Sequence, residues 1–181
     1  MKVTDLIAKI LKINNIRQAF GLQGGAVVHI FDSIIKNKIK VTFNHHEESA
    51  ALAAVANAKV NKEIGCAIVT TGPGTTNAIT GLLAAWQDSV PVIFISGQAR
   101  SEHTSYNKKV RQVGTQEVNI CDIVKPLTKY TKFIKKKEYE VATKKKNRKE
   151  FVSYLSGKKY TWVSSDGIYL SLMEGRIVKA Y

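Results

Sequence analysis

Gly65-Cys66-Ala67-Ile68-Val69-Thr70-Thr71-Gly72-Pro73-Gly74-Thr75-Thr76-Asn77 is the stretch that decides the fold. Residues 65–70 are an almost unbroken apolar run, the pattern of a strand buried on both faces rather than one alternating between core and water. Two glycines and a proline then break the chain. Pro73 suits the first turn of a helix, where a missing N–H costs nothing, and that helix is predicted to run to about Trp86. An apolar strand feeding a helix through a tight turn is the unit of a parallel sheet.

The same alternation extends outward in both directions. Val90-Pro91-Val92-Ile93-Phe94-Ile95-Ser96-Gly97 reads as a second buried strand with Pro91 at its start. Upstream, Glu47 to Lys62 is an alanine-rich helix whose small side chains allow close approach to a sheet. Lys40–Asn44 precedes it as a strand. Gly21-Leu22-Gln23-Gly24-Gly25 is a turn between a short strand, Ile16–Phe20, and a helix carrying Val27, Val28, Ile30, Phe31, Ile34 and Ile35. Thr4 is predicted to cap a first helix, with Leu6, Ile7, Ile10, Leu11 and Ile13 at helical spacing. Strand and helix patterns recurring every 20–30 residues predict an α/β fold, a parallel sheet with helices on both faces. In such sheets ligands collect beyond the carboxyl ends of the strands. Gly21–Gly25, Asn44–Glu47, Thr70–Asn77 and Gly97–Gln98 all fall at such ends.

The chain has 181 residues, 44% of them hydrophobic, which is enough for a real core. Its net charge of +14 is unevenly spread. Residues 125–159 hold 13 Lys/Arg against 3 Asp/Glu, a balance of +10, while the rest of the chain carries only +4. The basic character therefore belongs to one segment, most simply a solvated tail; nucleic-acid binding is not expected, since no stacking module accompanies the lysines. Residues 161–181 regain some apolar character without a clear place in the sheet. Trp86 and Trp162 are read as core or semi-buried. No apolar run reaches the roughly 20 residues of a membrane span, and Met1-Lys2-Val3-Thr4-Asp5 lacks a signal-peptide core, so a cytoplasmic location is expected. Cys66 and Cys121 are isolated, and no Cys/His cluster suggests a metal site.

Glu47 and Glu48 open a helix at a sheet edge. Both would complement a helix dipole, an effect of about 0.3–1 kcal/mol. Alternatively, one of the two faces an apolar pocket, where a carboxyl group can exchange a proton near neutral pH, while the other faces solvent. Thr70–Asn77 is glycine-rich but is neither a P-loop nor a GxGxxG fingerprint, and a plain strand–helix turn explains it equally well.

Taken in order, Gly21-Leu22-Gln23-Gly24-Gly25-Ala26, His46-Glu47-Glu48-Ser49-Ala50-Ala51, Thr70–Asn77, Trp86-Gln87-Asp88-Ser89-Val90-Pro91 and Ser96-Gly97-Gln98 resemble the N-terminal, pyrimidine-binding domain of thiamine diphosphate enzymes, specifically the acetolactate synthase-like group. The likeness covers about residues 1–130. It implies that Glu47 is the glutamate that hydrogen-bonds the cofactor's aminopyrimidine ring and promotes the tautomer that removes the thiazolium C2 proton. It further implies that Gly24 and Gly25 lie near the active-site opening, that Pro73 and Asn77 flank the pyrimidine, and that Gln116 reaches toward a 2-oxo acid such as pyruvate. Thr115 and Asn119 stand where relatives usually place Phe and Asp. Relatives hold the diphosphate and a divalent metal, magnesium, through a separate domain with a Gly-Asp-Gly…Asn-Asn motif; the nearest string here is Ser165-Asp166-Gly167, with too little chain after it.

The expected organisation is therefore a cofactor-binding domain at 1–130 and a lysine-rich divergent tail at 131–181. The expected role is one half of a thiamine diphosphate site, incomplete without a diphosphate- and magnesium-binding domain; the expected partners are further copies of the chain in a homo-oligomer, or a separate diphosphate-binding subunit. The expected alternatives are a truncated product, or a non-catalytic module that uses the basic tail to bind a partner or nucleic acid.

Overall fold

Ile68, Ile93 and Ile95 have no exposed surface, and neither do Ala67 and Val92 beside them. That double burial is what the continuous apolar runs predict. In the computed structural model, which describes residues 2–106, 108–133 and (backbone only) 168–173, successive residues of these strands feed two separate cores. Cys66, Ile68, Ile93 and Ile95 pack with helices α1 (Val3–Ile13) and α2 (Val28–Lys36). Ala67, Val69, Val92 and Phe94 pack on the opposite face with α3 (Glu47–Asn61), α5 (Ile79–Gln87) and α6 (Ile120–Val124).

The strands are β1 (Gln18–Gly21), β2 (Lys40–Phe43), β3 (Gly65–Val69), β4 (Val92–Gly97), β5 (Tyr130–Phe133) and β6 (Ile168–Met173), in the spatial order β2-β1-β3-β4-β6-β5. Strands β1 to β4 are mutually parallel, so their carboxyl ends share one edge. The expectation of an all-parallel sheet holds for these four. Beyond β4 the sheet is mixed, because β6 runs antiparallel to both β4 and β5. Of the two strands beyond β4, β5 lies in the basic stretch and β6 in residues 161–181, which sequence patterning leaves out of the sheet.

Two local expectations change. Thr4 does not cap α1: the helix begins at Val3 with Lys2 as its N-cap. Asp5 accepts the Lys2 backbone N–H at 3.1 Å, and Thr4 is buried, its hydroxyl hydrogen-bonded with Ser33 Oγ of α2 at 2.8 Å. The helix expected from Pro73 to Trp86 is two helices, α4 (Pro73–Thr76) and α5, separated at Asn77 and Ala78. Helix α3 owes its position to small residues. Ala50, Ala51, Ala54 and Ala58 face the core, and a Cβ on Gly81 of α5 would collide with Ala51, so the two helices touch through backbone. Trp86 is 40% exposed, whereas Trp162 lies outside the described residues. Among the described residues no helix is long and apolar enough to cross a membrane.

Candidate functional site

Four turns leave the shared carboxyl edge of β1–β4, and the parallel register brings them together. The turn after β2 delivers Glu47 to the first position of α3, with His46 as N-cap accepting the Glu48 backbone N–H on Nδ1 at 3.2 Å. Although charged residues are rarely buried, Glu47 is only 7% exposed. Its Oε2 accepts a hydrogen bond from Asn77 Nδ2 at 3.0 Å. Asn77 can reach it because the chain breaks helix between α4 and α5 at that point. Oε1 takes no hydrogen bond among the described residues and faces the backbone of Gly74, where a Cβ would sit 3.1 Å away. Glu48, one residue on, is half-buried and makes no such side-chain contact.

The turn after β3 is held by hydroxyl groups. Thr75 Oγ1 donates to the Thr70 carbonyl at 2.6 Å and also meets Ser96 Oγ at the end of β4. Gly74 and Gly24 both lie against the Thr70 side chain, where a Cβ on either would collide with it. The turn after β1 is thereby pinned to the turn after β3. Gly25 differs: it is exposed, with nothing within 4 Å of where its Cβ would be. Pro73 is exposed at the first position of α4.

The turn after β4 carries Gln98, buried, whose Oε1 accepts from Thr71 Oγ1 at 3.1 Å and whose Nε2 donates to the Val118 carbonyl at 3.1 Å. This ties residues 116–118 to the sheet edge. Gln116 adopts a left-handed backbone, φ 58°, which leaves its carbonyl oxygen against Gly72. Its side chain is exposed. Six sequence-derived candidates, Gly24, Gly25, Glu47, Pro73, Asn77 and Gln116, thus lie on turns at one edge, and the Glu47–Asn77 pair is in direct contact. Thr71, Thr75, Ser96 and Gln98 also build this edge although the candidate set omits them. Their only sequence signal is a small or amide side chain at the last strand position or just beyond, where a polar group can turn back onto a strand-end carbonyl.

Thiol chemistry has no place in the arrangement. Burial pushes the Cys66 thiol up to about 12 and that of Cys121 to about 11, far from the range of a reactive thiolate. Among the described residues no group of three or more His, Cys, Asp and Glu is placed to hold a metal ion.

The family model "Thiamine pyrophosphate enzyme, N-terminal TPP binding domain" matches residues 1–123. The chain belongs to this family. The TPP-binding domain is similar to the acetolactate synthase large subunit of Haemophilus influenzae, with 36% identity over 143 residues, covering 78% of this chain and 24% of that protein. It is also similar to a probable acetolactate synthase large subunit of Methanocaldococcus jannaschii, at 33% identity over 76% of this chain and 22% of the relative. The large subunit of acetolactate synthase isozyme 3 of Escherichia coli shows 33% identity over 74% of this chain and 22% of its own length. The chain therefore spans less than a quarter of the curated relatives it matches, and the part it spans is a TPP-binding domain of the acetolactate synthase type.

Proposed function

We propose that residues 1–130 hold the aminopyrimidine end of thiamine diphosphate for an acetolactate synthase-like reaction on a 2-oxo acid such as pyruvate, with Glu47 as the group that handles the proton. The observation that carries this is the buried Glu47 carboxyl, with one oxygen held by Asn77 and the other without a hydrogen-bond partner among the described residues, beside Gly74. A carboxyl oxygen in that state can pair with an N–H or a basic nitrogen of a flat heteroaromatic ring. Gly74 leaves out a Cβ that would otherwise crowd Oε1. When bound, the cofactor supplies a stabilised carbanion to the 2-oxo acid carbonyl.

The chain's own contribution is placement and proton traffic. Asn77 fixes the carboxyl plane by donating to Oε2, which leaves Oε1 as the atom that gives and takes the proton. The short α4 and the break before α5 set the Asn77 amide at the right height. The Gly24–Thr70 contact closes one flank. Gln116, whose carbonyl lies against Gly72, is the residue assigned to meet the substrate.

The diphosphate and its magnesium ion are assigned to a partner domain, contributed by a separate diphosphate-binding subunit. Relatives at least four times as long as the matched region support this reading. The test adds a separately produced diphosphate-binding domain from the H. influenzae relative to the full chain, with thiamine diphosphate and Mg2+, and follows deuterium exchange at the cofactor's C2 by NMR. Accelerated exchange with the wild-type chain, lost in Glu47→Gln, is the expected result. Equal exchange with Glu47→Gln refutes the assignment.

A further inference from the structure

Glu117 is a carboxylate outside the Glu47 cluster, and its hydrogen bonds all converge from one loop. Oε1 accepts the Ser105 backbone N–H and, at 2.8 Å, the Ser105 hydroxyl. Oε2 accepts the Val113 N–H at 2.9 Å and the Gly114 N–H at 3.4 Å. Four donors from both ends of residues 105–114 therefore close on a single side chain. The backbone around it is equally committed. Glu117 N–H and Gln112 Nε2 both donate to the Gly114 carbonyl, at 3.2 and 2.8 Å, and Gly114 is buried against His103 and Ala99. On its other side, Glu117 adjoins Gln116, whose carbonyl presses on Gly72, and Val118, whose carbonyl accepts from Gln98.

We infer that Glu117 is a positioning residue: its carboxylate ties residues 105–114 shut and so sets Gln116 over the Gly72–Pro73 turn, fixing where the substrate side of the pocket lies. This rests on the reading of that edge as the cofactor and substrate site. A neutral glutamine would be the wrong replacement, because its amide end presents N–H to N–H donors. None of the three ion pairs among the described residues involves Glu117, and the neighbouring charges Arg100, Glu102, His103, Lys108, Lys109, Arg111 and Asp122 leave its bonding to backbone and hydroxyl donors.

Burial pushes the Glu117 carboxyl up, but the hydrogen bonds from Ser105, Val113 and Gly114 outweigh it and leave it below the ordinary carboxylate value. A lowered folded-state value means the tie is fully present above the ordinary value and is lost as pH falls through the lowered one.

Hydrogen exchange on the full chain, without cofactor, tests the tie. Glu117→Gln is expected to speed exchange of the Ser105, Val113 and Gly114 amides by about tenfold or more. In the wild type the same amides lose protection on acidification, once the intrinsic pH dependence of exchange is removed, and in Glu117→Gln that pH step disappears. In the reconstituted complex, Glu117→Gln is expected to raise the KM for pyruvate several-fold while C2 exchange stays at the wild-type rate. Unchanged amide protection, or a KM that does not move, overturns the positioning role. A wild-type complex that shows no C2 exchange at all, with the amide effects intact, instead overturns the reading of the site.

Discussion

Replacing Gly72 by alanine tests how tightly the site is assembled. Gly72 has φ 62° and ψ −119°, a region that side-chain-bearing residues rarely enter. Holding alanine there costs about 1–3 kcal/mol. The new methyl group would also collide with the Gln116 carbonyl oxygen and come within 2.9 Å of the Gln116 Cβ. Backbone cannot yield as a flexible side chain does, so overpacking adds about 1–3 kcal/mol unless residues 114–118 swing away. Together the loss is about 2–6 kcal/mol. With a urea dependence of about 2 kcal/mol per molar for a domain of this size, the unfolding midpoint should fall by about 1–3 M. Circular dichroism during urea titration of the full chain measures it. The control is Gly25→Ala, where the space is open, and it should stay within about 0.5 kcal/mol of wild type. A Gly72→Ala protein as stable as Gly25→Ala, with residues 114–118 equally protected from exchange, would refute the packing of Gln116 on Gly72.

Asn77→Ala removes the donor to Glu47 Oε2 and is expected to cost about 1–2 kcal/mol in urea unfolding while leaving the fold intact by circular dichroism; Asn77→Ser should cost less if water fills the gap. At the far end of the molecule, the Ser33 hydroxyl first of all, then the Lys2 backbone N–H, holds the Asp5 carboxyl below its usual value despite partial burial. That contribution is present above the ordinary carboxylate value and lost as pH falls through the lowered one. Thermal unfolding between pH 6 and about pH 2.5 should therefore show a shallower acid limb for Asp5→Asn than for wild type, and parallel acid limbs would count against it.

Much of the fold is legible because buried parallel strands have a blunt signature. Residues 65–69 and 92–97 must satisfy two cores at once, so nearly every position is apolar. The alternation of such strands with amphipathic helices leaves little choice of architecture. The mixed edge is not legible. Ile168–Met173 pairs with β4 across some seventy residues of sequence, and an antiparallel insertion leaves no local mark on either strand. Thr4 misleads for a similar reason. Threonine one turn before an apolar repeat is a good cap by local chemistry, yet Ser33 of a neighbouring helix offers its hydroxyl a buried partner instead.

At the site, the sequence by itself determined the neighbourhood. Gly-Pro-Gly after an apolar strand and Glu-Glu at a helix start both fall at strand carboxyl ends, and parallel pairing brings such ends to one edge. The order of motifs points to Glu47 rather than Glu48, but only the tertiary structure shows which of the two is buried, and why. Adjacent residues on a helix point about 100° apart, so one of the two enters the interior, and which one depends on how α3 is rotated against the sheet by its alanine face. That rotation buries Glu47, and the break before α5 gives it Asn77 as a partner.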